Sequence, residues 1–287
     1  VGAHLARLLA ARGEQPAILS RGYRRRRPEP GVVIVSDGRR LGADLDRSGD
    51  EPLMLARLAP SAAVLVCDVR ATAAAVAETT LGATVHLLDD GFQHRAMARD
   101  IDIVLVTPAD LVGRRLPFGL LRSSVGALAR ADAVIVDGGP DEATTARLAV
   151  VAPSARVFRL DRALGAAEPL ERARPFPAAP APVLALAGIA RPARFTAALR
   201  AAGWEVAGVL AFPDHHRYDA RDLDRLARAS IDARAEAVVT TEKDAVRLRP
   251  LRPLPVPVAA VPLMITIEPA DAFEAWLTSR LAEARAR

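Results

Sequence analysis

Two kinds of apolar pattern alternate along this chain. Short, mostly apolar runs at 16–20, 32–36, 63–67, 85–90, 101–107 and 133–136 are too short for helices and rich in Val, Ile, Leu and Ala, which predicts buried strands. Between several of them the apolar residues recur at helical spacing. Leu5, Leu8 and Leu9 predict a helix over 1–12 that stops at Gly13, Met54, Leu55 and Leu58 predict another opening near Pro52, and the Ala-rich segment 71–80 predicts a third. Buried strands alternating with helices predict a parallel sheet covered on both faces.

The same alternation resumes after PFPAAPAP at 175–182, a stiff segment that continues neither helix nor strand and reads as a linker. Beyond it, strands are predicted at 183–186, 206–210, 237–240 and 256–261, and helices at 191–202, 220–231 and 270–284. The expectation is an α/β protein in two domains, a core over 1–174 and a smaller α/β domain over 183–287. At 287 residues and 51% hydrophobic content the chain is long enough to bury two cores. No apolar run reaches the length of a membrane-spanning helix, so the chain as given is expected to be cytoplasmic, or at most peripheral to a membrane.

Chemistry concentrates where predicted strands end. The segment VHLLDDGFQHR, 85–95, finishes a strand on two carboxylates, Asp89 and Asp90. In open α/β sheets the ligand crevice lies at that end of the strands, where an Asp can hold Mg²⁺ against nucleotide phosphates. An Asp turn gives the same pattern. Gln93 and His94 follow, side chains of the kind a phosphate or sugar site uses. Ser20-Arg21-Gly22-Tyr23 leaves another strand, and Arg21 and Tyr23 are ligand candidates ahead of the solvated run Arg24 to Arg27. Ser48 and Glu51 have capping-box spacing, which gives Glu51 a structural task and leaves Asp50 unexplained. Arg122, just before an expected helix start, could contact an anion or snorkel at the surface.

Two further clusters lie in the second half. Phe212-Pro-Asp-His215-His216-Arg217-Tyr218 sits between a strand and a helix and gathers proton-handling side chains in one turn. Paired histidines can bind zinc, but no other His or Cys cluster completes such a site. Thr240-Thr-Glu-Lys243-Asp244 also follows a strand. It reads equally as a nucleotide contact through Lys243 and Asp244 and as a capped helix N-terminus.

The charge balance adds little to this. Lys and Arg total 39 against 34 Asp and Glu, a net +5, and Lys243 is the one lysine, so the positive charge is almost all Arg. Arginine suits phosphate, though a compositional bias toward Arg and Ala explains most of it. The single cysteine, Cys67, excludes an internal disulfide.

Together, SRGY, GDEP, LLDDGFQHR, AFPDHHRY and TTEKDAV, in this order and at these separations, resemble the tetraacyldisaccharide 4′-kinase family of lipid A biosynthesis. The resemblance implies a fold similar to P-loop NTPases and transfer of the ATP γ-phosphate to the 4′-hydroxyl of a tetraacylated glucosamine disaccharide-1-phosphate at the inner membrane. By the same resemblance Asp50 and His215 are the pair that activates the sugar hydroxyl, and Asp89 with Glu51 is the Mg²⁺-binding set. Asp90, Gln93, His94, Arg21, Tyr23 and Arg122 would line the phosphate and substrate crevice.

Family members also carry an N-terminal membrane helix and a Walker A loop ahead of the helix that opens here at Val1. With its lysine at position 243, the sequence as given contains no Gly-x-x-x-x-Gly-Lys-Thr. The expectation is therefore a recorded start that falls late, and activity lowered by orders of magnitude without the loop. Where the family has Arg-Glu-Pro, this chain has Arg122-Ser123-Ser124. A non-catalytic homologue that binds acylated sugar or a partner protein is the alternative. Nucleic-acid binding is not expected, because aromatic residues make up only 4% of the chain and no recognition motif is present.

Overall fold

The computed structural model describes residues 1–113 and 123–287. They divide into two compact units, one combining Val1–Asp89 with Ala163–Met264, the other combining Asp90–Arg162 with Ile265–Arg287.

The first stretch runs α1 (Gly2–Ala11), β1 (Pro16–Ser20), β2 (Val33–Asp37), α2 (Leu45–Ser48), α3 (Asp50–Leu58), β3 (Ala63–Val66), α4 (Arg70–Leu81) and β4 (Val85–Leu88). Its strands form one sheet in the order β2-β3-β1-β4. As expected, β1 runs parallel to β3 and β4, whereas β2 lies antiparallel at the edge. Residues 103–164 carry β5 (Ile103–Val106), α5 (Pro108–Val112), β6 (Ala133–Asp137), α6 (Glu142–Val151) and β7 (Arg156–Leu164). The chain continues through β8 (Glu168–Pro169), β9 (Pro182–Ala187), α7 (Pro192–Ala201), β10 (Glu205–Ala211), α8 (Ala220–Asp232), β11 (Ala237–Thr240), α9 (Glu242–Leu248) and β12 (Val258–Ala260), and closes with β13 (Leu263–Glu268) and α10 (Ala270–Arg285). A second sheet has the order β10-β9-β11-β12-β8, parallel except for β8, and a third has the order β13-β7-β6-β5.

The strands read from sequence are present because their residues are buried on both faces. Val64, Leu65 and Val66 of β3 and Val183 and Ala185 of β9 are fully buried. Each such Val or Leu contributes about 1.5–3 kcal/mol relative to leaving it in water. In the second unit Val134, Val136, Leu148 and Leu128 form the core, and Phe158 of β7 meets Phe273 of α10 edge to face at 5.0 Å.

One packing contact joins α3 to α9. Val246 of α9 is buried in the same cluster as Leu53 and Ala56 of α3. Residues three and four apart share a helix face, so burying Leu53 carries Asp50 to the α3/α9 contact, and burying Val246 carries Lys243 there.

Candidate active site

Asp50 opens α3, and the residue before it sets its direction. Gly49, the N-cap of α3, has φ +86, and a Cβ there would stand 3.1 Å from the Tyr23 carbonyl oxygen. A glycine is what lets the Ser20–Tyr23 loop lie against the helix start. The predicted capping box does not form. Ser48 belongs to α2 and donates its hydroxyl to the Asp44 carbonyl at 2.6 Å, so Glu51 lies one position too early on α3 to reach back to a cap. Its side chain is thereby available for another partner.

Asp50 is buried, and its Oδ1 accepts the Glu51 backbone N–H at 3.0 Å, as suits a carboxylate at a helix N-terminus. Its Oδ2 lies 2.9 Å from His215 Nδ1 and 3.7 Å from Arg247 Nε. His215 occupies the turn after β10 with φ +61, a left-handed conformation uncommon outside glycine. On the other side of its ring, Nε2 is 3.1 Å from Lys243 Nζ. That ammonium also lies 3.1 Å from Glu51 Oε1 and 3.4 Å from Asp214 Oδ1. Arg24, Leu45, Asp50, His215, Arg217 and Arg247 line a small cleft here, three of the six being arginines. The mostly exposed Tyr23 ring points edge-on at His215, with centroids 6.1 Å apart.

Beneath the cluster lies a buried polar frame. Asp244 is fully buried and accepts from the Tyr218 hydroxyl at 2.6 Å, the Thr241 hydroxyl at 2.7 Å, the Gly188 N–H at 3.1 Å and Arg247 Nη2 at 2.9 Å. Arg247 in turn donates to the carbonyls of Gly188 and His216, each at 2.9 Å. A Cβ at Gly188 would come within 2.8 Å of both the Asp244 and the Tyr218 oxygens, so that position has room only for glycine. Burial pushes the Tyr218 phenol well above its ordinary range, and the Asp244 charge and hydrogen bond push it further. The capped helix start expected for TTEKD is present, with Thr241 accepting the Asp244 N–H at 3.1 Å.

Of the residues singled out in the sequence, the fold brings together Asp50, Glu51, His215, Lys243, Asp244 and Tyr23. Asp89 stands just past the end of β4, where its N–H donates to Leu19 and its Oδ2 accepts the Ser20 hydroxyl at 3.3 Å. Arg21 directly follows β1 and is exposed. Asp90, with φ +52, Gln93 and His94 belong to the second unit, in the turn after β4; there the His94 N–H donates to Gly91. Arg122 lies outside the described residues. Arg247, Tyr218 and Gly188 were not anticipated as a frame. A signal for Arg247 was available, since it sits four residues after Lys243 and so on the same helix face.

His216, although adjacent to His215, faces other groups. Its Nε2 is 2.8 Å from Asp222 Oδ2, and its ring stacks on Phe212 at 4.4 Å between centroids. Among the described residues no group of three or more His, Cys, Asp and Glu converges as a metal site. Magnesium in phosphoryl-transfer sites is commonly held by one or two carboxylates plus substrate phosphates. Asp89, with the Ser20 hydroxyl against it at adjoining strand ends, is a hard oxygen pair of that type, whereas Glu51 is engaged with Lys243.

Comparison with known proteins bears on this arrangement. One family profile, described as tetraacyldisaccharide-1-P 4′-kinase, matches residues 1–282. The tetraacyldisaccharide 4′-kinase of Anaeromyxobacter sp. (strain Fw109-5) is 45% identical over 263 residues, an alignment covering 85% of this chain and 68% of that protein. The one of Syntrophus aciditrophicus (strain SB) is 39% identical over 287 residues, covering 94% and 76%. A crystal structure of LpxK from Aquifex aeolicus, described as an "apo" form in complex with ATP, matches with a TM-score of 0.73 at 27% identity, over 97% of this chain and 82% of that one. The α/β, P-loop-NTPase-like class expected from the sequence agrees with that likeness. With a profile match over nearly all its residues and relatives at these identities, the chain belongs to the tetraacyldisaccharide-1-P 4′-kinase family.

Proposed function

We propose that this protein transfers the γ-phosphate of ATP to the 4′-hydroxyl of a tetraacylated glucosamine disaccharide-1-phosphate, a step of lipid A biosynthesis. The observation that carries the reading is the Asp50–His215 pair, closed across the fold at 2.9 Å in a cleft lined by Arg24, Arg217 and Arg247. Family membership and the ATP complex of a related kinase support it.

The chemistry suits these residues. An alcohol is a poor nucleophile until its proton is taken, and a buried carboxylate oriented by an imidazole is a base for that proton. The cleft arginines face the charge that builds on the transferring phosphoryl group. Asp89 and Ser20 would hold Mg²⁺, with Glu51 as a further candidate carboxylate; the ion supplies neutralisation of phosphate charge when bound. Arg21 and Tyr23 serve the nucleotide and substrate crevice in this reading, and Asp244 serves it indirectly by holding Arg247 in place. An acylated substrate places the protein at the cytoplasmic face of the inner membrane as a peripheral enzyme. Among the described residues no helix is long and apolar enough to cross a membrane.

The test is an assay of ATP-dependent phosphorylation of the disaccharide lipid, run on this chain and on the same chain extended upstream. Transfer to the 4′ position is expected in the extended protein. Lipid binding with no transfer in either would favour a non-catalytic homologue instead.

A further inference from the structure

Two of the arginines that line the cleft also reach across it, each to a backbone carbonyl on the other side. Arg24, in the loop after β1, donates Nη1 to the Asp214 carbonyl at 3.2 Å, and Arg217, in the turn after β10, donates Nη2 to the Arg24 carbonyl at 3.1 Å. Each segment holds a residue other than glycine in the left-handed region, Arg24 at φ +59 and His215 at φ +61. Neither residue prefers that conformation alone, so the contacts around it must impose it. The crossed bonds fall where they can do so, on the carbonyl of Arg24 itself and on the carbonyl of the peptide group that joins Asp214 to His215.

The clasp is anchored on α2. Arg217 Nη1 lies 2.5 Å from Asp46 Oδ1, while the Asp46 carbonyl accepts the N–H groups of Arg26 and Arg27 at 3.1 and 2.9 Å. Asp46 therefore holds the loop through its backbone and the turn through its side chain. Its Oδ2 faces Arg27 Nε at 4.0 Å, beyond hydrogen-bond range. Within the loop, the Arg24 guanidinium lies over the Tyr23 ring at 5.3 Å, and the edge of that ring points at His215.

We infer that Asp46 is a positioning residue: through Arg217 it closes the loop after β1 on the turn after β10, and so keeps His215 in the conformation that meets Asp50. The inference rests on the proposed kinase reading for its effect on rate, whereas the clasp is a property of the resting protein. The Arg217 and Asp46 side chains are 39% and 31% exposed, and an ion pair so placed adds little to global stability. Its loss should be felt in the turn and in the rate, not in the thermal midpoint.

The experiment is amide hydrogen exchange of this chain, read at the His216 N–H that donates to the Pro213 carbonyl at 3.0 Å and closes the turn, together with kinetics of the chain extended upstream. Asp46→Ala is expected to speed His216 exchange about tenfold with a thermal midpoint near that of the parent. It should also lower kcat about tenfold with little change in KM for ATP. Arg217→Met should lower kcat at least as far, and the double variant no further than Arg217→Met, because the two residues act through one contact. Asp44→Ala removes the cap of the same helix but not the Arg217 contact, and should leave His216 exchange as in the parent. Parental exchange in Asp46→Ala, equal acceleration in Asp44→Ala, or additive losses in the double variant would overturn the inference. If Arg217→Met does not fold, Asp46→Ala against Asp44→Ala still decides it. The expected exchange with no phosphoryl transfer by the parent or any variant would leave the clasp standing and remove the kinase reading.

Discussion

His215 and His216 are neighbours in one turn, and each sets a ring nitrogen against a carboxylate, at 2.9 Å to Asp50 and 2.8 Å to Asp222. Asp222 is only six residues from its histidine and already has work as the partner of Asp219 in the capping box of α8. His216 stacks on Phe212 and adds a contact to a cap that local sequence forms by itself. Asp50 lies 165 residues from His215, and the pair closes only when α3 and α9 pack and the turn adopts a positive φ at His215. Such a backbone conformation costs on the order of 1–3 kcal/mol and persists where the surrounding structure imposes it. Like chemistry at adjacent positions thus divides into a local brace and a long-range assembly with a second polar partner, Lys243. Strain and sequence distance, more than the His-Asp pattern, mark the pair proposed for catalysis.

The largest expected effect separates the two pairs outright. Asp50→Asn should lower phosphoryl transfer by about 10³-fold or more while far-ultraviolet circular dichroism stays that of the parent; parental turnover would remove Asp50 from the chemistry. His215→Ala should lower kcat by about 10²-fold. His216→Ala should change kcat by less than about tenfold and instead lower the thermal midpoint, since it loses a stacked ring and a cap contact. Equal kinetic losses at both positions would end the distinction.

The frame beneath the pair gives the next effect. Tyr218→Phe leaves the buried Asp244 short of a donor and should cost about 1–3 kcal/mol, read from chemical denaturation. Its pH dependence has a definite sign. The folded-state phenol is raised, so its stability contribution is constant below the unfolded value near 10 and falls above it as the unfolded chain ionises. The gap between wild type and Tyr218→Phe should therefore narrow above about pH 10, and a widening gap would contradict the assignment.

The smallest effect is a control that touches neither histidine. Asp44 caps α2, accepting the Arg47 N–H at 2.9 Å, and Asp44→Ala should cost about 1 kcal/mol with kcat unaltered. The Arg47 backbone N–H, then the Arg27 guanidinium, hold the Asp44 carboxyl below its ordinary range against a desolvation effect in the other direction. That contribution is present above the unfolded pKa and is lost as pH falls through the folded one. A rate change in Asp44→Ala would tie the α2 cap to the site.

Much of the secondary structure was legible because buried strands announce themselves as unbroken apolar runs, as in β1, β3, β6, β9 and β11. The helix start at Thr241 was legible from its cap. The start at α3 was misread, because Gly49 with its positive φ ends α2 and begins a new helix one residue later than the Ser48–Glu51 spacing proposes. Asp50 and His215 were named as partners through family resemblance, since no local spacing links residues so far apart. Arg247 went unnoticed, and Tyr218 was read only as a member of the 212–218 cluster, because a buried polar frame has the same residue types as a solvated surface.

The amino-acid order alone determined the α/β alternation, the strand ends where chemistry gathers and the local caps, because each depends on interactions within a few residues. Only the tertiary structure decided which histidine meets Asp50, that Glu51 turns to Lys243 instead of a cap, and that Asp244 is buried beneath the site. Those outcomes depend on burying Leu53 and Val246 in one core, which sets α3 against α9 and leaves the polar residues one turn away no other place to pair.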